Sequence, residues 1–509
     1  MLKICLTLLL LSITACKEVS NPDSATPDTS TQSGAGGGVI VDTEPPWIAD
    51  LDPTGWTVLE PSIDSLLVYV SSSTGNDANS GLSATSPKKT LAAGHALLRN
   101  ANPDWLLLKR GDVWNGESLD WKKSGNGPLR KTVLASYGEG ARPMIRNGQF
   151  QYGEAAALNH FAIVGIDFYA SINDPSSSDF QSGSVPTTGI QILADSANDL
   201  LVEDNRVRFY QTNIQIRRVG GGSRLITNVS VRRNISADAA AFGILLTWLE
   251  YSLLEENTFE RCGWARRSKF LHDAYVKENR SFTARGNIFS RGGNMGLKFS
   301  ADNLEASTDF VIEDNLFYLS ALGIGHSSGP TGFDPTIRVS HRNGRVNRNI
   351  FLSPGKTLPY NSTETQTLAS LIASVENLEL DSNIFIHNDQ YQDTGQAFGF
   401  SREERVANVT VSNNKIFNWL SNTFNSTGSH MKNWDTVDGL TQINNFPTGV
   451  TYPDPGRNLA TYNSSLGGSA SGEAFLLRST QLSRTNWDSR YTAKKFNNYI
   501  RAGFGVAEP

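Results

Sequence analysis

Short apolar runs recur along most of the chain in a period of two. They read Leu200-Leu-Val202, Val229-Ser-Val231, Phe310-Val-Ile312, Leu378-Glu-Leu380 and Val409-Thr-Val411, each the pattern of a strand that buries one face. Three residues after the last apolar position of each run stands an asparagine. Eight such positions align: Asn205, Asn234, Asn257, Asn287, Asn315, Asn349, Asn383 and Asn414, spaced 23 to 34 residues apart. A coil of constant size with loops of varying length inserted gives that spacing, whereas a β-sandwich would place hairpin turns at shorter intervals. An Ile-Phe or Leu-Phe pair follows several of the asparagines, at Ile288-Phe289, Leu316-Phe317, Ile350-Phe351 and Ile384-Phe385. One aromatic per coil at a fixed site predicts a stack inside the coil. The asparagines have a mechanical reason as well: a buried amide donates to one neighbouring coil and accepts from the other, so identical amides form a ladder along the axis. At about 4.8 Å per coil, eight coils span on the order of 35 to 40 Å.

A second strand set repeats between these runs: Gly189 to Leu193, Asn213 to Arg217, Gly243 to Thr247, Asp273 to Lys277, Gly296 to Ser300 and Gly323 to Ser327. Alternation points Ile190, Ile192, Ile214, Ile216, Ala274, Val276, Leu297 and Phe299 inward. Their neighbours then form three outward columns. The first runs Gly189, Asn213, Gly243, Asp273, Gly296, Gly323. The second is Gln191, Gln215, Leu245, Tyr275, Lys298, Gly325, and the third Leu193, Arg217, Thr247, Lys277, Ser300, Ser327. Glycines in the first column predict a trough with longer polar side chains beside it.

Outside the repeats, Tyr69-Val-Ser with Gly75-Asn-Asp, Ser86-Pro87 and Thr90-Leu91 suggests an opening strand and a capping helix, and Trp105 to Asp112 a first coil. Together with the repeats these segments resemble the right-handed parallel β-helix superfamily, the fold of pectate lyases and related polysaccharide enzymes. The resemblance extends from about Tyr69 onward. It implies an all-β, single-stranded right-handed parallel β-helix, a solenoid with short capping helices, and a polysaccharide as partner. Near the other end, Thr492 to Gly503 reads as a short helix with Phe496 and Ile500 on one face and Gly503 as its stop, placed to cover the open edge of the last coil.

The first residues change the picture of location. Lys3, an apolar run from Ile4 to Ile13 and then Thr14-Ala15-Cys16 read as a secretory signal ending in a lipobox, with Cys16 as the lipidated residue. Lys17 after the cysteine points to the outer membrane, with the lipid as the only membrane contact. The segment from Lys17 to about Pro46 is rich in Ser, Thr, Pro, Asp and Gly and reads as a disordered tether. The expected division is therefore signal peptide 1–16, linker 17–46, β-helix with its N-terminal cap 47–435, and a C-terminal extension with a capping helix 436–509. Of three cysteines, Cys5 falls in the signal and Cys16 carries lipid, so Cys262 stands alone as a buried apolar residue. With 45 basic and 50 acidic side chains the net charge is −5, which offers no footprint for nucleic acid. A monomer is expected.

The densest outward cluster is Tyr275 beside Lys298, with Lys277, Asp273, His272 and Arg217 within a few coil steps, and Trp264, Arg266, Arg267 and Lys269 entering the same coil. Uronate β-elimination needs a cation on the carboxylate, a base for the C5 proton and an acid for the leaving oxygen. Lys298, Arg217 and Lys277 suit the first role; Tyr275 or His272 suits proton transfer. Asp273 and Trp264 are expected to line the substrate path. Hydrolysis needs two carboxylates across the bond, and the best pair is Asp273 with Asp302 or Glu250. Of the Asp-Pro-His-Asp signature of C5-epimerases with this fold, only His272-Asp273 is present. Calcium is an alternative carboxylate neutraliser, with Asp273, Asp302 and Asp238 as its candidate ligands, and no other cofactor is indicated. His326 falls at an inward position and reads as a core histidine. A non-catalytic carbohydrate binder remains open, with Trp248, Tyr251 and Trp264 as its platform.

Overall fold

A strand whose neighbours are the same strand one coil earlier and one coil later must run parallel to both. In the computed structural model the pairings along all three faces are parallel. The structure describes residues 50–182, 188–220, 225–264, 271–304, 306–326, 336, 338–352, 368–387, 396–417, 431–445 and 451–509, without the side chains of 154–156, 368, 396, 431 and 432. One coil runs from Met295–Ser300 on face A to Ser307–Glu313 on face B, turns at Asn315, and passes through Leu316–Tyr318 on face C. The next coil returns to face A at Leu322–Gly325. Two long strands, Phe150–Val164 and Thr188–Glu203, bend across the corner and join faces A and B into one 22-stranded sheet, and face C is a separate sheet of 11 strands. The chain is a right-handed parallel β-helix.

The asparagine ladder lies at the B–C corner. Asn287 donates its backbone N–H and its Nδ2 to Asn315 Oδ1, both at 2.9 Å, and the same Nδ2 donates back to the Leu254 carbonyl at 2.7 Å. The same pair of bonds links each asparagine from Asn205 to Asn414 with the next. It continues to a ninth rung, Asn445, so the coils extend past the expected boundary at 435 and include Thr441–Ile443. The residue before every rung, from Asp204 to Asn444, has a positive φ, which folds the chain tightly enough to bury the amide. The phenylalanine stack also forms: Phe259, Phe289, Phe317, Phe351 and Phe385 lie 4.6 to 5.2 Å apart by ring centroids, with interplanar angles of 21° or less.

The N-terminal end of the core is covered by the helix Leu91–His95, capped by Thr90, where Gly94 lets the helix backbone approach Val70 and Leu106. The C-terminal helix Ala493–Gly503 is present with Phe496 and Ile500 buried. It lies along the side of the coils, against Asp314, and not over the open edge of the last one. Together with Leu459–Ser465 and Gly472–Ser479 it lies on the outside of face C, where Phe475, Phe496 and Ile500 pack on Ile288, Leu316, Ile350 and Ile384. Those outward isoleucines and leucines form an apolar stripe, and burying it, rather than closing an edge, is what places the helices. Cys262 is buried and free. No helix among the described residues is long and apolar enough to cross a membrane; Cys16 and the tether lie outside the described residues.

Candidate functional site

Face A carries the expected pair. Tyr275 and Lys298 are register partners on adjacent parallel strands, as are Leu245 with Tyr275 and Lys277 with Ser300. Ile190, Ile192, Ile214, Ile216, Ala274, Val276, Leu297 and Phe299 are fully buried, as alternation requires. Alternation fails one residue earlier. In His272–Lys277 both Asp273 and Ala274 are buried, while His272 rises on the side of Tyr275, its ring 5.4 Å away. The neighbouring strands share this break in alternation, since Phe242 pairs with His272 and Ile244 with Ala274 without any shift of register.

Three expectations change as a result. Asp273 does not line a substrate path: it is buried beneath the sheet, accepting from the Cys262 N–H at 3.2 Å, and burial pushes its carboxyl well above the usual range, with Glu260 adding to the push. The glycines of the first column open no trough, since a Cβ on Gly243 would stand 2.4 Å from the Asp273 carbonyl oxygen and one on Gly296 2.6 Å from Phe289 Cβ. They are small so that the coils can close inward. The true outward column there is Phe242, His272 and Met295. One coil further, the strand begins at Leu322, so Gly323 faces Lys298 and Gly325 faces Ser300, two residues from the expected register. A side chain on Gly323 would collide with Met295 Sδ at 2.1 Å and crowd Lys298 Cδ at 3.1 Å, so this glycine gives Lys298 its room.

Burial in this setting pushes Lys298 down to about 8, against the pull of Glu404 and Asp302. Neither the Lys298 ammonium nor the Tyr275 hydroxyl has a hydrogen-bond or ion-pair partner among the described residues. His272 is pushed down to about 3 by burial and by Lys298, and its Nδ1 is also without a hydrogen bond there. A ring that weakly basic is a poor proton acceptor, which leaves Tyr275 the stronger choice. Lys277 is already committed to Asp302 at 2.6 Å, and Arg217 stands exposed two coils away in the same column. Trp264 gives its indole N–H to the Asp238 carbonyl at 2.7 Å, and the ring neighbours of Tyr275 are instead Phe242 and His272. Arg266, Arg267 and Lys269 lie outside the described residues.

The carboxylate pair expected for hydrolysis does not assemble, because Asp273 is turned inward and Glu250 belongs to face B. Asp302 is held by Lys277 and Asp238 by Arg261, and no group of three or more His, Cys, Asp and Glu converges among the described residues. The platform of Trp248, Tyr251 and Trp264 is likewise dispersed: Trp248 stacks under Arg218 at 4.4 Å and Tyr251 is exposed on face B. In its place Phe242 stacks on Tyr275 at 5.5 Å and 26°. The His326 ring is enclosed, with Nδ1 2.9 Å from the Ala301 carbonyl oxygen, but it does not take the expected inward position in the core. It lies past the strand end, with Nε2 3.8 Å from Glu404, an acid that no periodic feature of the sequence marks.

No family model and no curated protein matches the chain. Among solved structures it is similar to a GH136 lacto-N-biosidase from Eubacterium ramulus, at 13% identity over 69% of this chain and 67% of that one, with a TM-score of 0.45. It is also similar to XylC in complex with xylose, at 9% identity over 76% and 88%, TM-score 0.45. A third is an alginate lyase from Paenibacillus sp., at 11% identity over 70% and 97%, TM-score 0.31.

Proposed function

We propose that the protein is a polysaccharide lyase that cleaves an acidic, uronate-containing chain by β-elimination on face A. The observation that carries this reading is the register pair itself: a phenol and an ammonium side by side on a rigid sheet, both without a protein partner among the described residues. Other charges of the coils are consumed in structural pairs, such as the series Glu203, Arg232, Glu255 and Arg285. Lys298 neutralises the uronate carboxylate and stabilises the enolate, with Arg217 extending the positive path. Tyr275, as its phenolate beside the Lys298 ammonium, takes the C5 proton and becomes the phenol; the C5–H electron pair forms the C4=C5 bond, and the C4–O pair leaves on the glycosidic oxygen.

Incubation with a panel of acidic polysaccharides, following the ultraviolet absorbance of unsaturated uronate ends together with reducing ends, tests the reading. Both signals rise for a lyase. Reducing ends alone overturn it in favour of hydrolysis. Neither signal overturns it in favour of epimerisation or of binding, the latter favoured by the Phe242–Tyr275 stack, and proton exchange at C5 separates those two. We propose in addition that one chain acts alone and is anchored at the outer membrane through Cys16. Cys16→Ser should move the protein from the detergent phase to the aqueous phase; its retention in the membrane fraction would refute the anchor.

A further inference from the structure

Three elements converge at the corner where face A turns into face B. Lys298 leans over Gly323, His326 follows the next strand, and Glu404 comes from the turn two coils beyond His326. The intervening coil crosses this corner in the short turn Ala373-Ser374, so that little stands between them. The Ala301 carbonyl fixes His326 Nδ1 and so aims Nε2 at Glu404 Oε2, 3.8 Å away. That carboxyl oxygen is enclosed and has no hydrogen-bond partner among the described residues.

We infer that Glu404 is the acid of this site, giving its proton to the departing glycosidic oxygen, with His326 holding the carboxyl in place. The inference rests on the elimination reading. The C5 proton goes to the Tyr275 phenolate, which becomes the phenol, the C5–H electron pair forms the C4=C5 bond, the C4–O electron pair leaves with the glycosidic oxygen, and the Glu404 proton closes that oxygen as a hydroxyl. The groups facing Glu404 are Lys298, His326 and Glu403, with the Lys277–Asp302 pair beyond Lys298. Burial raises the Glu404 carboxyl, while His326 and Lys298 pull it down and Glu403 pushes it up, so the acid form is favoured over that of an ordinary surface glutamate.

The test compares the full protein with E404Q on the polysaccharide that the wild type cleaves and on a uronate bearing a nitrophenoxide at C4, which departs without a proton. E404Q should lose about a hundredfold or more in turnover on the polysaccharide and keep its turnover on the nitrophenyl substrate. Equal loss on both, or no loss on the polysaccharide, overturns the inference while leaving the elimination reading intact. Absence of unsaturated ends from every polysaccharide with the wild type overturns the reading, and the inference with it. Glu404→Asp keeps an acid and guards against a folding failure of the glutamine variant: an intermediate loss on the polysaccharide alone supports the assignment, and equal loss on both substrates overturns it.

Discussion

Tyr275 and Lys298 make their contribution through single polar atoms, so substitutions that remove those atoms and little else are informative. Tyr275→Phe keeps the stack on Phe242 and should abolish proton transfer with an unchanged thermal midpoint. Lys298→Ala should lower turnover by on the order of a hundredfold or more by removing the charge opposite the enolate. Full activity in both, with loss in His272→Ala, would transfer the base role to His272. The ammonium form of Lys298 is the useful one, so turnover should fall as pH rises through about 8. Two buried histidines make a different prediction, for stability. His272 and His341 are each pushed down to about 3 by burial and by Lys298, against about 6.5 in the unfolded chain. The unfolded state binds the extra protons below that value, so stability is complete above about 6.5 and is lost on acidification at about 1.4 kcal/mol per pH unit for each ring. His341→Gln should reduce that slope by one proton between pH 6 and 4.5, read from denaturation midpoints. An unchanged slope would show that His341 is protonated in the native state.

The coil turn concentrates its stability in the asparagine rungs. Asn287→Ala or Asn315→Ala removes an acceptor shared by two N–H groups of the preceding coil and a donor to a buried carbonyl. Each should cost roughly 1–3 kcal/mol, and the double variant should cost less than the sum because the two rungs bond to each other. Unchanged denaturant midpoints would refute the buried ladder. This element was readable from sequence because a buried polar group has to recur wherever its backbone partners recur. The ninth rung escaped because Gln442 stands three residues before Asn445, and Thr441–Ile443 is exposed, so no apolar period announces it. The alternation on face A failed for a related reason. The break in alternation before Ala274 changes neither the register nor the composition, so only the packing, with Asp273 and Ala274 both buried, reveals that Asp273 points inward. Glu404 lies in a turn, where no period applies and where contacts between coils far apart in sequence decide what a side chain meets.

At the scale of the molecule, segments near both described ends of the chain meet on the outer side of the B–C corner. The Arg233 guanidinium sits 4.5 Å from the Trp56 ring and 4.4 Å from the Trp487 ring, which are themselves 5.1 Å apart. Thr57 bonds to the buried Glu203, and Arg484 reaches the backbone of Thr57 and pairs with Asp52. The terminal segments therefore fasten one another as well as the coils. Trp56 is 2% exposed, and its replacement by alanine should cost about 3–5 kcal/mol if the whole fold depends on it. A solenoid divides that cost differently, since its coils contact only their neighbours. The clamp should open locally while the ladder holds. In Trp56→Ala, amide exchange is then expected to quicken in residues 50–59 and in 484–504 together, with Asn257 to Asn383 still protected and turnover on face A unchanged. Faster exchange in residues 50–59 alone would show that the C-terminal helices are held by the apolar stripe of Ile288, Leu316, Ile350 and Ile384 without help from the clamp.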